Sequence, residues 1–493
     1  MEEKNRFSKL LQDLMAEAEV KNYVLANELQ YDVSYISKWV SGRALPTEKS
    51  VKKVLEGISR CIVNTAGENR KNSLMENYHV ENLEDLKLAI YDNLNAEYQY
   101  VKETQKTTGK DVAPKTSCFP ELSLLRYISK MRHPVLRRVH SLDIVAAMDL
   151  LNVEHEQRIQ FNMIENEHMP EIGGYPDVHY SMIIHIRPEK WDYINDTLFL
   201  IHLLTVNSAI DFQLYGDDQA AGHLIFTVRD DFMISGILLN KDRCIAVMMS
   251  EEEENCNIAY KNVKTLCTHE KLLFRKVTME KMLFGREYLH SLLAPNQRWS
   301  IGHLTEHFLP DDLFEEIMED LIASGKFSAD SEKLRSVHKL TQKVMEESKI
   351  QLLIYETAFS NLAVTDKIDF YNCKVYLSVD QRMRYMKHLY SLCEKNENLD
   401  IRLVYGKFVS DFEYLDNQST FISDTISCLR LERIGNVNNC MIVNRSDVQK
   451  IFERSFEKFW NYGGDVVISD RSDILKYIDH MMHSISLILQ MEQ

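Results

Sequence analysis

The chain has no cysteines at C-x-x-C spacing, and its nine cysteines are scattered and odd in number. That argues against a disulfide framework or a zinc finger and suits the reduced thiols of a cytoplasmic protein. Long apolar runs are also missing. The longest, residues 197–206, contains His202 and is far too short to span a bilayer. The opening residues, MEEKNRFSKL, are charged and hold no apolar segment, so no signal peptide is expected. These absences together predict a soluble cytoplasmic protein.

The usual signatures of chemistry are missing as well. There is no Walker loop G-x-x-x-x-G-K-[ST], no G-x-G-x-x-G and no G-x-S-x-G. Gly173-Gly174 and Gly463-Gly464 are isolated pairs that read as turns. None of the seventeen histidines has H-E-x-x-H spacing. His179 and His185 flank a strand-like run and would share a face, but no third ligand accompanies them. The run SEEEEN at residues 250–255 lacks the alternating oxygen spacing of a calcium loop and reads as a solvated loop. No metal and no cofactor is expected.

Positive charge is short overall, with a net charge of −16, but it is unevenly spread. Residues 1–63 hold ten Lys/Arg against nine Asp/Glu, a balance of +1, while the rest carries 48 against 65, a balance of −17. Within residues 33–53 there are five basic side chains (Lys38, Arg43, Lys49, Lys52, Lys53) and a single acid, Glu48. A local basic patch of this kind is where phosphate contacts fall, and an acidic remainder discourages the large part from lying on nucleic acid.

That patch coincides with the most informative stretch, residues 22–46, NYVLANELQYDVSYISKWVSGRALP. Leu25 and Leu29 lie one helical turn apart, and Ala26 is small enough for a second helix to approach. Asp32 is a suitable N-cap for a helix over residues 33–40, with Ile36, Trp39 and Val40 inward and Val33, Ser34, Ser37 and Lys38 on the other side. Gly42 suits a left-handed helix end. The pattern L-A-x-x-L, a turn, I-S-x-W, then G-x-x-x-P resembles the lambda-repressor/Cro (Xre-like) helix-turn-helix. It is carried by Leu25, Ala26, Leu29, Ile36, Ser37, Trp39, Gly42 and Pro46. Gln30 departs from it, standing in the turn where the family usually has glycine. The resemblance implies a second helix in the major groove. Val33, Ser34, Ser37 and Lys38 match positions that touch bases, Asn22 and Arg43 match positions that hold phosphates, and Tyr35 can serve either or simply pack.

Flanking helices complete a domain over residues 1–63. Phe7, Leu10, Leu11, Leu14 and Met15 follow helical spacing, as do Val51, Val54, Leu55, Ile58 and Ile62, with Thr47 as the expected cap of the last helix. Residues 64–118 read as a linker (64–78), an amphipathic helix (80–101) and a second flexible connection (104–117). Beyond residue 119 apolar β-branched runs alternate with helical patterns, which predicts α/β structure. A weak internal repeat runs through it. MIIHI and the helix after it, AIDFQLYG and DFMISGILL parallel KVYLS and its helix, NLDIRLVYG and TFISDTISCLRL, at an offset close to 190 residues. The expected parts are α/β repeat 1 (119–294), a helical connector (295–333), α/β repeat 2 (334–461) and a C-terminal helix (462–493). Helices are expected over residues 263–274 and 447–460. The predicted fold class is thus multidomain: an all-α helix-turn-helix bundle, then a large α/β region with two weak internal repeats.

Two such repeats ending in F-x-x-x-W (Phe456, Trp460) resemble a phospholipase D-like double domain. That family needs H-x-K in each half, because one histidine attacks phosphorus and its mate protonates the leaving group. Here there is one, His269 to Lys271, with Lys276 where the aspartate is expected. The resemblance therefore implies a scaffold without the catalytic motifs. The expectation is a one-component transcriptional regulator, not an enzyme, that binds a double-stranded DNA operator as a homodimer and responds to a small-molecule or protein effector. Two alternatives stand beside it: a DNA-targeted phosphodiesterase or nuclease, and a regulatory interaction protein of a larger system.

Overall fold

A computed structural model describes residues 5–107 except 79 and 81, then 115–137, 141–158, 178–208, 210–294, 296–323, 331–371, 373–405, 419–431, 439–462 and 466–492. The chain divides into two compact units, one of residues 1–185 and 209–268, the other of residues 186–208 and 269–493. Among the described residues no helix is long and apolar enough to cross a membrane. The expected glycine pairs 173–174 and 463–464 lie outside the described residues, as do residues 108–114 of the second connection.

The first unit opens with helices α1 (Arg6–Glu17), α2 (Asn22–Leu29), α3 (Val33–Ser41), α4 (Val51–Thr65), α5 (Glu68–Asn77) and α6 (Leu83–Thr107). The apolar stripes read from the sequence meet in one core: Phe7, Leu11, Leu25, Ile36, Leu55, Ile58 and Ile62 are fully buried. Ser50, and not Thr47, stands at the start of α4; the Thr47 carbonyl accepts the Ser50 and Val51 amides. Residues 64–78 are not a linker. They hold α5 (Glu68–Asn77), with Leu74 inside it and Tyr78 just past its end both buried, and the Asn93 amide donating to the Tyr78 hydroxyl at 2.9 Å. Two apolar anchors in a polar stretch suffice once α6 offers them a surface. That helix buries Leu86, Ile90 and Leu94 and packs on α1 and α4, with Tyr98 edge-on to Phe7.

The first sheet comprises β1 (Thr116–Ser123), β2 (Leu142–Met148), β3 (Val178–Ile184), β4 (Asp211–Gly216), β5 (His223–Val228), β6 (Phe232–Asn240) and β7 (Arg243–Ser250). Helices α7 (Leu124–Met131) and α8 (His155–Arg158) lie along the way. The β3-to-β4 connection carries α9 (Asn195–Val206), which groups with the second unit, and α10 (Glu253–Lys264) follows β7. The strand order is β1-β7-β6-β5-β2-β3-β4, parallel only among β2, β3 and β4. Of these, β2 and β3 read as nearly continuous apolar runs because both faces are covered, whereas β4 is the edge strand, with Asp211 and Gln213 exposed and alternating with buried neighbours. The helices and this sheet are tied together. Arg6 pairs with Asp231 and lies over the Tyr100 ring, and His133 stacks on Phe232 at 4.3 Å and meets Glu251 at 3.3 Å.

The second sheet comprises β8 (Phe274–Thr278), β9 (Asn296–Ile301), β10 (Lys349–Tyr355), β13 (Leu399–Val404), β14 (Ser419–Ser423), β15 (Ser427–Arg430), β16 (Asn439–Val443) and β17 (Val467–Ile468). A separate hairpin pairs β11 (Lys367–Phe370) with β12 (Cys373–Tyr376). The helices of this unit are α11 (Met279–Phe284), α12 (Arg286–Leu292), α13 (Asp311–Ala323), α14 (Ser331–Glu347), α15 (Glu356–Thr365), α16 (Val379–Lys395), α17 (Ser446–Trp460) and α18 (Arg471–Glu492). The order is β8-β16-β15-β14-β9-β10-β13-β17, parallel only among β9, β10 and β13. Strand for strand this is the route of the first sheet, with β17 added at one edge. The chain repeats one topology twice.

Three readings change as a result. The counterpart of β3 is β10, and KVYLS begins in β12; α15 and the β11–β12 hairpin are inserted before α16, which displaces the apparent match. Residues 295–333 are not a connector, since β9 is an inner strand of the second sheet. Gln297 disguised it: buried, it donates to the Leu292 and Ala294 carbonyls and accepts from the Trp299 indole. The helix expected at residues 263–274 lies earlier, as α10, and Phe274 begins β8. Glu253 and Glu254 of the acidic run sit in the first turn of α10, where helix amides favour negative charge.

Candidate nucleic-acid interface

The candidate surface is built on α2, α3 and the loop that follows. The turn between the helices places Gln30 in the left-handed region, φ 57° and ψ 41°. Its amide and that of Tyr31 close the end of α2 on Asn27 and Ala26 carbonyls. A side chain there is strained where glycine is not. Gln30→Gly is therefore expected to raise stability by about 0.5–1 kcal/mol, read as a higher urea midpoint at constant slope. A lower midpoint would remove the strain argument.

Asp32 caps α3 as its residue type predicts. Its carboxylate accepts the Ser34 amide at 2.8 Å, and the Ser34 hydroxyl and amide hold it below the ordinary carboxylate range. Ile36 and Trp39 are buried and fix the rotation of the helix, with Tyr31 edge-on to Trp39 at 5.3 Å. Gly42 ends it with φ 81°. Asn5 donates to the Gly42 carbonyl at 3.1 Å and so holds the exit loop from the chain's beginning.

The seven candidate residues separate into two groups. Val33, Ser34, Tyr35 and Lys38 are exposed on the outer side of α3, with Val33 43% and Tyr35 52% accessible. Lys38 reaches over the Tyr35 ring, its ammonium 5.6 Å from the ring centre, and Tyr35 meets Tyr31 edge-on. Arg43 is exposed in the loop, and Lys49, Lys52 and Lys53 are exposed beyond it. Asn22 and Ser37 instead bond each other: the Asn22 amide donates to the Ser37 hydroxyl at 3.2 Å, and both are half-buried. That pair clamps the start of α2 against the middle of α3.

Three contributors escaped the sequence. Lys102 of α6 pairs with Glu48 at 2.8 Å and so offsets the one acid of the basic stretch. Tyr98 donates to the Pro46 carbonyl at 3.1 Å and pins α6 beside the loop. Tyr23 of α2 stands 56% exposed. Only the fold brings residues 98 and 102 to residues 46 and 48.

The other sequence candidates are dispersed. His269–Lys271 is a short 3-10 turn with His269 exposed. His179 bonds Asp211 at 2.8 Å, while His185 lies 3.7 Å from Asp149 and 3.5 Å from Asp218. An open groove of about 910 Å³ runs between residues 191–194 and the end of α17, where Arg454 donates to the Tyr193 hydroxyl. Its cations Arg454 and Lys458 alternate with Asp192 and Glu457, which gives it no field of one sign. No protein-family model matches the chain, and no curated protein matches it either.

Proposed function

We propose that the protein is a DNA-binding transcriptional regulator of the lambda-repressor/Cro (Xre-like) type, with α2 and α3 as its helix-turn-helix. The observation that carries the reading is the outer face of α3. A capped, rotationally fixed helix presents Val33, Ser34, Tyr35 and Lys38 to solvent, beside Arg43 and a run of exposed lysines, in a chain otherwise strongly acidic. Val33, Ser34 and Lys38 read base edges and Arg43 holds phosphate. Asn22 reaches phosphate while bonded to Ser37, and Ser37 keeps a base-facing role only through its free lone pair. One short helix reads few base pairs, so the active species is a homodimer on a two-fold operator. The α/β part is a phospholipase D-like double domain that dimerises and senses an effector in the cytoplasm. The repeated strand order supports that scaffold, and the single H-x-K supports a role without phosphodiester chemistry.

The test is titration of the full-length protein with duplex DNA from upstream of its own gene. Two chains per duplex, with affinity falling steeply in salt, is the expected result. One chain per duplex would remove the dimer. Hydrolysis of a generic phosphodiester that is lost in His269→Ala would turn the reading to an enzyme.

A further inference from the structure

One buried cluster in the second unit has no part in the reading above. Four sulfur-bearing side chains line a single small cavity under α11 and α12: Met279, Met282, Cys428 and Cys440. All four are buried, none more than 4% exposed. Met279 and Met282 stand three residues apart on α11 and so share one side of it. Cys428 and Cys440 come from the adjacent strands β15 and β16, and Cys440 pairs in register with Arg430, two residues from Cys428. The Cys440 Sγ lies 3.8 Å from the Met279 Sδ.

The cavity measures about 20 Å³. That is room for roughly one water-sized sphere, whereas an organic effector needs on the order of 300 Å³ or more. The cavity wall also carries the polar Gln297, His307 and Arg430 side chains, and the Cys440 and Met279 sulfurs are already in contact. Two sulfurs bound to one ion at about 2.3 Å stand roughly 3.8 Å apart in a tetrahedral arrangement. We propose that Met279, Met282, Cys428 and Cys440 form a binding site for one soft monovalent metal ion, Cu(I). Thioethers select Cu(I), whereas zinc takes thiolate, imidazole or carboxylate. On binding, the acetonitrile ligands leave the ion, the two S–H bonds break and two protons pass to solvent, and four Cu–S bonds form, two to thiolate and two to thioether, with no change of oxidation state. Two thiolates and one monovalent cation leave a single negative charge, beside the Arg430 guanidinium that lines the same cavity. The site stands independently of the DNA-binding reading.

The experiment is a competition for Cu(I). Reduced full-length protein, kept anaerobic, receives Cu(I) as its acetonitrile complex in the presence of the colorimetric chelator bicinchoninate. The expected result is about one Cu(I) per chain withheld from the chelator, unaffected by Zn(II) and by Cys118→Ser, a change at an exposed thiol. Cys428→Ala/Cys440→Ala should lose it. Met279→Leu/Met282→Leu replaces thioether by an apolar group of similar size and keeps the fold, and should weaken retention by roughly tenfold or more. No Cu(I) withheld by the folded wild type would overturn the proposal. So would retention unchanged in the folded double-cysteine variant, or in the methionine variant should the cysteine variant not fold. Zn(II) displacing Cu(I) would overturn the monovalent class.

Discussion

Arg430→Met is expected to destabilise the second unit by about 3–5 kcal/mol, the cost of stranding a buried charge. Glu306 and Arg430 are 1% and 5% exposed and meet through two charge-assisted bonds, at 2.9 and 2.7 Å. The Tyr371 amide donates to the same carboxylate at 3.0 Å, and Asp369 lies 3.9 Å from the guanidinium. Burial pushes the Glu306 carboxyl up, but Arg430, then His307 and the hydrogen bonds, outweigh it and hold it down at about 2. Without the guanidinium the carboxylate keeps the Tyr371 amide but loses its main counter-charge, and must take up a proton or leave the core. Glu306→Gln/Arg430→Met should recover much of the loss, because the carboxamide keeps an acceptor for Tyr371 and carries no charge. Urea unfolding followed by tryptophan fluorescence reads this directly, since Trp299 lies 4.9 Å from His307 in the same cluster. A double variant no more stable than Arg430→Met would show that lost packing, and not stranded charge, sets the cost.

The same cluster fixes how stability responds to acid. Glu306 titrates lower folded than unfolded, so its contribution is complete above its ordinary value of 4.5 and is lost as pH falls towards about 2. His307, fully buried, is pushed down to about 3 from 6.5, so the unfolded chain takes up its proton first and stability drops as pH falls below about 6.5. Both groups act in one direction. The urea midpoint of the tryptophan transition should decrease steadily from pH 7 to pH 4, and a flat profile would contradict the assignment of His307 as a buried neutral ring.

How much of this the sequence made legible depends on the range of the forces involved. The N-terminal helices were readable because apolar spacing, the Asp32 cap and Gly42 all act within a few residues, and the structure uses each of them as its residue type dictates. The parallel strands β3, β4 and β13 were readable from their own residues. The α5 helix was not, since its register comes from Tyr78 meeting Asn93 of α6. Nor was β9, whose buried Gln297 is satisfied by carbonyls of the preceding segment and so looks polar in isolation. The repeat was visible where the two halves have equal length, as in β4 and β13, and lost where the second half inserts α15 and the β11–β12 hairpin. Of the candidate interface, the exposed positions Val33, Ser34, Tyr35, Lys38 and Arg43 follow from helical spacing, but the Asn22–Ser37 bond does not, and neither does the charge: Lys102, which offsets Glu48, lies 54 positions away and arrives only through helix packing.

That charge balance leads to the largest functional effect expected. In the full-length protein, Lys38→Ala/Arg43→Ala should all but abolish binding to upstream DNA at physiological salt, and the two changes should act differently. Lys38 extends from the exposed side of α3, its ammonium over the Tyr35 ring. If it meets a base, Lys38→Ala costs about 1–3 kcal/mol and relaxes sequence preference at that position. Arg43 lies past Gly42, in a loop held by Asn5, and in the proposed function it meets phosphate. Arg43→Ala should weaken all duplexes alike and flatten the slope of log K against log salt by about 0.9. A salt titration with operator and unrelated duplex side by side separates the two. Either single variant at wild-type affinity removes that residue from the interface. A folded wild type that binds neither duplex, in any salt, would move the α2–α3 surface from nucleic acid to a protein partner and put the interaction-protein reading first.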